Sequence, residues 1–328
     1  MNMGEFELIK RYFQRPARRA LLGVGDDCAV LQVVPGRNIA VSSDMLVEGR
    51  HFFAGTDPFA LGHKALAVNL SDLAACGAKP LAFTLALALP QADAAWLEPF
   101  SRGMLALADA FDCELVGGDT TKGPLNICIT VFGEVAAADG RGTALLRSGA
   151  RTGDDIYVSG TLGDARLALE ALLGHRPLPP ALLAQARQRL ETPTPRVALG
   201  VALRGIASAA IDISDGLLGD LGHVLEASGV GARIDIAAAA GLMACRGPDL
   251  EALASPEDRL ACVLAGGDDY ELAFTAPAGA RAQVQAAARA GDVPVTRIGK
   301  VQSAAGLRLV DAQGAPVENR YQSFDHFA

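Results

Sequence analysis

The sequence predicts a two-domain protein that mixes helices and strands, and three observations lead there. Its 328 residues exceed what one small core organises, so two domains are expected. Half of the residues are apolar and a fifth are charged, the balance of a folded globular chain. Apolar runs of strand length alternate with alanine- and leucine-rich stretches of helical length, which indicates an α/β or α+β class.

Taken in order, residues 5–14 read as a short amphipathic helix. Residues 28–34 and 38–43 read as two strands, and Pro35-Gly36-Arg37 between them as a hairpin turn. Asp57-Pro58 combines an N-cap with proline in the first turn, so a helix starts there and runs to about Cys76, stopped by Gly77. Residues 81–89 form a buried strand, 92–111 a helix, 114–116 a strand ending at Gly117-Gly118-Asp119, and 126–135 another strand. A glycine-rich stretch over 139–154 marks the boundary between a domain of residues 1–150 and one of 151–328. Beyond it come a strand at 156–159, helices between 164 and 205, a strand at 209–213, a helix from about 216 to 228 and a strand at 233–236. Residues 256–265 form a helix with Ser255 as N-cap and Glu257 and Asp258 in its first turn. A strand at 270–275, a helix at 279–290 and a strand at 295–301 follow.

The net charge of −8 argues against a nucleic-acid partner, which needs a basic face. It leaves room for a phosphate-bearing ligand, because bound divalent cations reverse the local sign. The six cysteines form no C-x-x-C pair or Cys/His cluster, which reads as reduced thiols in a cytoplasmic protein. The first residues lack the apolar core of a signal peptide, and the longest apolar run, 81–89, is too short to cross a bilayer. No membrane partner is expected.

Aspartates beside small residues recur at six places: Gly25-Asp26-Asp27, Ser42-Ser43-Asp44, Ser71-Asp72, Gly117-Gly118-Asp119-Thr120-Thr121, Asp212-Ile213-Ser214-Asp215-Gly216 and Gly266-Gly267-Asp268-Asp269. Carboxylate oxygens are hard ligands suited to Mg²⁺, and glycine admits a bulky phosphate close to the backbone. Singly, such pairs are ordinary turns and caps. Asp72 is harder to explain that way, because it lies in an apolar helical stretch where a lone carboxylate is costly. The segment from Gly117 to Gly123 offers N–H groups, hydroxyls, a carboxylate and an ammonium, a phosphate cradle or simply a loop. Asp215 opens a helix whose N–H groups would suit an anion. Arg147 is a candidate phosphate clamp or a surface ion pair. His51 is a candidate phosphate contact or base, or a solvated histidine. A P-loop, a complete dinucleotide fingerprint, the protein-kinase motifs and a nucleophile elbow are all missing.

The strings Gly25-Asp26-Asp27-Cys28-Ala29, Asn69-Leu70-Ser71-Asp72-Leu73-Ala74-Ala75, Gly118-Asp119-Thr120-Thr121, Arg147-Ser148-Gly149-Ala150, Ser214-Asp215-Gly216-Leu217, Tyr270-Glu271-Leu272 and Asp325-His326-Phe327 together resemble the thiamine-monophosphate kinases of the aminoimidazole ribonucleotide synthetase superfamily. The resemblance spans the whole chain. It implies an N-terminal α/β domain whose mixed sheet pairs with that of a second subunit in a homodimer, and a C-terminal α+β domain that completes the active site. It also implies ATP-dependent phosphorylation of thiamine monophosphate to thiamine diphosphate with several Mg²⁺ ions. Asp27, Ser42, Ser43, Asp44, Asp72, Asp119, Asp212 and Asp215 match the family's metal positions, with Asp44 and Asp119 expected to be catalytic. Gly118, Asp119, Arg147 and Ser214 match its nucleotide contacts. His51, Asp268 and an aromatic at Tyr321 or Phe324 match its substrate contacts. Where the family reads Gly-Gly-Glu-Asp, this chain has Gly266-Gly267-Asp268-Asp269. The side chain at 268 is one methylene shorter, and its substrate contact is expected to be bridged by water.

The acceptor would be an oxygen of the thiamine phosphate, already largely dianionic at neutral pH because its second pKa is about 6. No strong general base is needed, and direct in-line transfer without a phosphoenzyme is expected. The alternatives are another ATP-dependent synthetase of the superfamily and a metal-dependent nucleotide-binding scaffold without turnover. The selenophosphate and hydrogenase-maturation relatives need reactive cysteines that this sequence lacks near its ends.

Overall fold

A computed structural model of the chain describes residues 4–25, 28–137 and 143–323. The chain divides into two compact units, one of residues 1–73 and 78–143, the other of 74–77 and 144–328.

In the first unit, helix α1 (Glu5–Tyr12) precedes strand β1 (Arg37–Val47), helix α2 (Pro58–Ala75), strand β2 (Lys79–Leu89), helix α3 (Ala94–Ala110) and strands β3 (Glu114–Lys122) and β4 (Asn126–Ala136). The sheet order is β1-β4-β2-β3. β4 runs antiparallel to β1 and β2, and β3 runs parallel to β2. Ile127, Ile129 and Val131 of β4 and Leu85, Leu87 and Leu89 of β2 are buried with the apolar faces of α2 and α3. Two glycines let those helices touch: a Cβ at Gly62 would lie 2.1 Å from the Phe100 carbonyl, and one at Gly103 would lie 2.0 Å from that of Phe59. On the opposite side of β1, Val41 and Met45 are 59% and 52% exposed.

Residues 28–34 are not a strand, and β1 forms no hairpin with them. Val30 makes only an isolated antiparallel bridge to Leu22, and Val33 and Val34 stay exposed. Their β-branched character favours a strand locally, but β1 takes its ladder from β4 instead. β3 also differs from expectation, because it continues through Gly117–Lys122 rather than stopping before the glycines. A bulge where β2 passes from Phe83 to Thr84 lets β3 insert an extra residue and keep pairing. The segment before β1 is tied down by Glu114, whose carboxylate accepts the N–H groups of Arg18, Arg19 and Ala20. Burial alone would raise that carboxyl, but the three N–H bonds outweigh it and hold the group below the usual carboxylate range.

The second unit holds strand β5 (Asp155–Ser159), helices α4 (Asp164–Leu172), α5 (Pro180–Glu191) and α6 (Val197–Leu203), strand β6 (Ala209–Asp212), helix α7 (Leu217–Ser228) and strand β7 (Gly231–Asp235). Short helices α8 (Ile236–Ala240) and α9 (Pro248–Leu253) lead to helix α10 (Pro256–Ala265) and strand β8 (Leu272–Ala276). Helix α11 (Arg281–Ala290) and strands β9 (Val295–Gln302), β10 (Gly306–Val310) and β11 (Pro316–Val317) complete it. Seven strands form one mixed sheet in the order β11-β10-β7-β9-β5-β8-β6. Ile156, Ile211, Leu221, Val224, Ile234 and Ile298 belong to one core.

The Ser255 N-cap is a full capping box with Asp258. β7 stops one residue earlier than expected because Asp235 caps α8 through the N–H groups of Ala237 and Ala238. β8 starts two residues later than expected because Tyr270 has φ 51°, outside the extended region. β10, absent from the sequence reading, pairs parallel with β7.

Candidate active site

Within the first unit, β1 and α2 gather one group of candidate residues. Ser42 donates to Asp72 Oδ2 at 2.5 Å. Asn69 clips the strand to the helix: its side-chain oxygen accepts the Asp44 N–H at 3.1 Å, while its amide nitrogen donates to the Ala65 carbonyl. Sequence reasoning gave Asn69 no role of its own, although a buried amide on an apolar helix is the signal for such a clip. Along β1, Ser42 and Asp44 are half-buried and Ser43 is exposed, as a two-residue period requires. Ser43 shares a hydrogen bond of 2.9 Å with Thr130 and donates to the Ile129 carbonyl. His51 lies in the turn after β1, where its Nδ1 accepts the Val47 N–H at 3.0 Å. A neutral ring there carries its proton on Nε2.

Gly118 and Asp119 lie in the edge strand β3. Gly118 has φ 147°, and a Cβ on it would sit 1.8 Å from the Leu85 carbonyl, so the backbones meet there only because the residue is glycine. Asp119 is exposed. A cavity of about 350 Å³ runs beside it, lined by Phe6, Phe13, Leu85, Leu115, Gly118 and Asp119 among others. The register runs from Asp44 to Ile129, Leu85 and Gly118. Three strand spacings therefore separate the Asp44 and Asp119 ends of the sheet, about 14 Å. Asp27 lies outside the described residues.

In the second unit, Asp212 ends β6 and is buried. The loop after it does not present open N–H groups, contrary to the expectation at Asp215. The N–H groups of Ser214, Asp215 and Gly216 all donate to Asp220 Oδ2, at 3.0, 3.1 and 3.1 Å. The helix thus caps its own N-terminus with a carboxylate from its first turn. Burial pushes the Asp220 carboxyl up to about 6, against the N–H bonds that favour its charge.

The loop before β8 docks on the same segment: Asp268 N–H donates to the Ser214 carbonyl and Tyr270 N–H to that of Ile213. Asp268 and Tyr270 have φ of 65° and 51°, and Tyr270 Oη donates to Asp268 Oδ1 at 3.1 Å. The alternate residues anchor this strained loop. Asp269 accepts the Gly163 N–H through both oxygens at 3.0 Å, and burial raises its carboxyl well above the ordinary value. Glu271 is fully buried and takes Ser159 Oγ, Arg189 and Arg196. Sequence reasoning missed Arg189 and Arg196, which nothing local distinguishes from surface arginines.

Arg147 is exposed. Its loop is held by Ser228, whose hydroxyl donates to the Arg147 carbonyl and accepts the N–H groups of Gly149 and Ala150. Tyr321 is half-buried against the second unit's core, and burial raises its phenol above the ordinary value. Phe324 lies outside the described residues.

Among the described residues, no group of three His, Cys, Asp or Glu side chains is gathered closely enough to hold a metal ion. The donors nevertheless suit Mg²⁺ in kind, being carboxylates and hydroxyls. That ion is commonly held by one or two carboxylates, with waters and substrate phosphates completing its shell. Also among the described residues, no helix is long and apolar enough to cross a membrane.

Residues 25–135 match the N-terminal domain of AIR synthase related proteins, and residues 151–312 match the C-terminal domain. A thiamine-monophosphate kinase of Salmonella typhimurium is 46% identical over the whole chain and 99% of its own length. The crystal structure of thiamine-monophosphate kinase from Stenotrophomonas maltophilia K279a has 44% identity and a TM-score of 0.82, covering 95% of this chain and 96% of its own. AaThiL, solved in complex with AMPPCP and TMP, has 30% identity and a TM-score of 0.74, covering 90% and 89%. The chain belongs to the AIR synthase related family and, within it, to the thiamine-monophosphate kinases.

Proposed function

We propose that this chain transfers the γ-phosphoryl group of ATP directly to the phosphate of thiamine monophosphate, with Mg²⁺ held by Asp44, Asp72 and Asp119 and by Asp27, Asp212 and Asp215. The observation that carries this reading is the cavity of about 350 Å³ lined by Phe6, Phe13, Leu85 and Leu115 together with Gly118 and Asp119. It offers a flat base an apolar bed and delivers the phosphates to a bare glycine backbone beside a carboxylate. Arg147 and Ser214 serve the phosphate tail, His51 and Asp268 the acceptor, and Tyr321 or Phe324 its rings. Ser42, in its hydrogen bond to Asp72, orients that carboxylate, and Asn69 fixes the backbone at Asp44. When bound, Mg²⁺ supplies charge neutralisation between two mutually repelling anions. The acceptor phosphate is a nucleophile at neutral pH without a base, so the protein's task is to position and to exclude water.

The assay is direct. Parent protein with ATP, Mg²⁺ and thiamine monophosphate should form thiamine diphosphate, and chelation of the metal should stop it. With γ-labelled ATP alone, the protein should remain unlabelled, and a stable phosphoprotein would rule out direct transfer. Tight nucleotide binding without product would favour a non-catalytic scaffold instead.

The chain is further proposed to work as a homodimer in the cytoplasm. The exposed Val41 and Met45 on β1, at an open sheet edge, are the surface that a second copy would cover. Light scattering should give twice the mass of one chain at micromolar concentration, and a single-chain mass would refute the dimer.

A further inference from the structure

We propose that Asp220 is the positioning residue of the candidate site in the second unit. Its carboxylate fixes the turn that carries Ser214 and Asp215, and through that turn the loop that carries Asp268. The proposal rests on the reading of the chain as a kinase of thiamine monophosphate, with these three residues as contacts to nucleotide, metal and acceptor.

Helix α7 cannot be capped in the ordinary way. Its N-cap is Gly216, which has no side chain to offer and stands at φ 122°. A Cβ there would lie 2.9 Å from the Ala265 carbonyl carbon, so a serine or aspartate cap does not fit. The cap comes instead from Asp220, in the first turn of the helix. The N–H groups that it takes, from Ser214, Asp215 and Gly216, are consecutive and converge on one oxygen. N–H groups that converge in this way make a concave nest suited to an anion, and here the anion is built in. The turn is thereby curled around a fixed point. In the run from Ala209 to Leu218 every residue is buried except Ser214 and Asp215, which are half-buried. They are the residues that the turn leaves accessible to a ligand. Burying a carboxylate costs more than burying a neutral cap, so helix stability alone gives no reason for an aspartate here.

The same turn carries the acceptor loop. Ser214 donates its N–H to Asp220 and accepts the Asp268 N–H at its carbonyl, 2.8 Å away. The Ile213 carbonyl accepts the Tyr270 N–H at 2.8 Å. The approach is close enough that a Cβ on Gly267 would lie 2.4 Å from the Ser214 carbonyl oxygen. Asp268 and Tyr270, at φ 65° and 51°, hold a backbone shape that persists only where surrounding contacts impose it. Two of those contacts end on the turn that Asp220 fixes. One carboxylate oxygen therefore sets the mutual placement of the groups read as nucleotide, metal and acceptor contacts. A displacement of about 1 Å among such groups costs about a hundredfold in rate, so a buried residue behind them controls turnover.

The test uses the full chain with Asp220→Ala and Asp220→Asn. Asparagine keeps a carbonyl oxygen within reach of the converging N–H groups, and alanine keeps none. Asp220→Ala should lower kcat about a hundredfold and raise the half-saturating Mg²⁺ about tenfold. Asp220→Asn should recover most of both, to within about fivefold of the parent. Half-saturation does not depend on the fraction of molecules folded, so it separates positioning from simple loss of protein. Hydrogen exchange is read without metal or substrate. It should be slow in the parent at the amides of Ser214, Asp215, Gly216, Asp268 and Tyr270, and in Asp220→Ala it should quicken at all of them together. A half-saturating Mg²⁺ or an exchange pattern equal to the parent's in Asp220→Ala would overturn the proposal, leaving Asp220 a structural cap. Equal losses in the two variants would also overturn it, assigning the effect to charge rather than to place. Should Asp220→Ala fail to fold, the parent's exchange and Asp220→Asn still decide. Fast exchange at the parent's turn, or an asparagine variant about a hundredfold slower than the parent, would overturn the proposal. A parent protein that forms no thiamine diphosphate would instead refute the kinase reading, a result separable from the exchange data.

Discussion

Asp119→Asn and Asp44→Asn are each expected to lower kcat for thiamine diphosphate formation by about a thousandfold, the scale seen when one element of electrostatic transition-state stabilisation is removed. Both substitutions keep the shape of the side chain and remove its charge. Asp119 is exposed on an edge strand. The hydrogen bond at Asp44 that holds the strand to α2 comes from its backbone N–H, which asparagine retains. Unfolding midpoints should therefore stay near the parent value while turnover collapses. The two residues stand at opposite ends of a four-stranded sheet, so their effects are expected to differ in character. Asp119 lines the cavity proposed for ATP, and its loss should weaken nucleotide binding as well as turnover. Asp44 stands on the Asn69 and Asp72 side, and its loss should leave nucleotide binding in place. Rates within tenfold of the parent for both variants would remove these carboxylates from the metal assignment.

Glu271→Ala should be the most destabilising single change in the second unit. The carboxylate is fully buried and takes both Arg189 and Arg196, together with Ser159 Oγ. Removing it leaves two largely buried guanidinium groups without their counter-charge, which costs about 3–5 kcal/mol. For a unit of this size the melting temperature should fall on the order of 10 °C. Glu271→Gln should lose less, because the amide oxygen still accepts from one arginine. The strained loop at Asp268 and Tyr270 depends on the same anchor, so hydrogen exchange at those amides should rise before the rest of the unit opens. A loss below 1 kcal/mol on chemical denaturation would show that the network is not an anchor.

Much of the architecture was legible from local chemistry. The helix beginning at Pro58 starts where an aspartate and a proline stand together, and the helix from Pro256 starts at a capping box, both signals contained in a few neighbouring residues. Strands with a strong apolar run, such as Ile127, Ile129 and Val131, were equally plain. The segment 28–34 misled because β-branched residues describe a strand's preference and not its partner. Gly117-Gly118 misled in the opposite direction: two glycines read as a break, yet the β3 bulge at Val116 and the bare Gly118 let the strand continue to Lys122. The open anion site at Asp215 failed for a similar reason, since Asp220 from the same helix already occupies its N–H groups.

The sequence by itself determined the expected class of chemistry. Hard oxygen donors beside glycines and a negative net charge are properties of residue types, and they predict metal-assisted work on phosphates. Only the tertiary structure decided which donors stand together. It joined Ser42 to Asp72, set Asp44 and Asp119 at opposite ends of one sheet, and buried the partners of Glu271. Strand order, register and burial arise from contacts between residues far apart in the chain, and a local pattern carries no record of the partner it will meet.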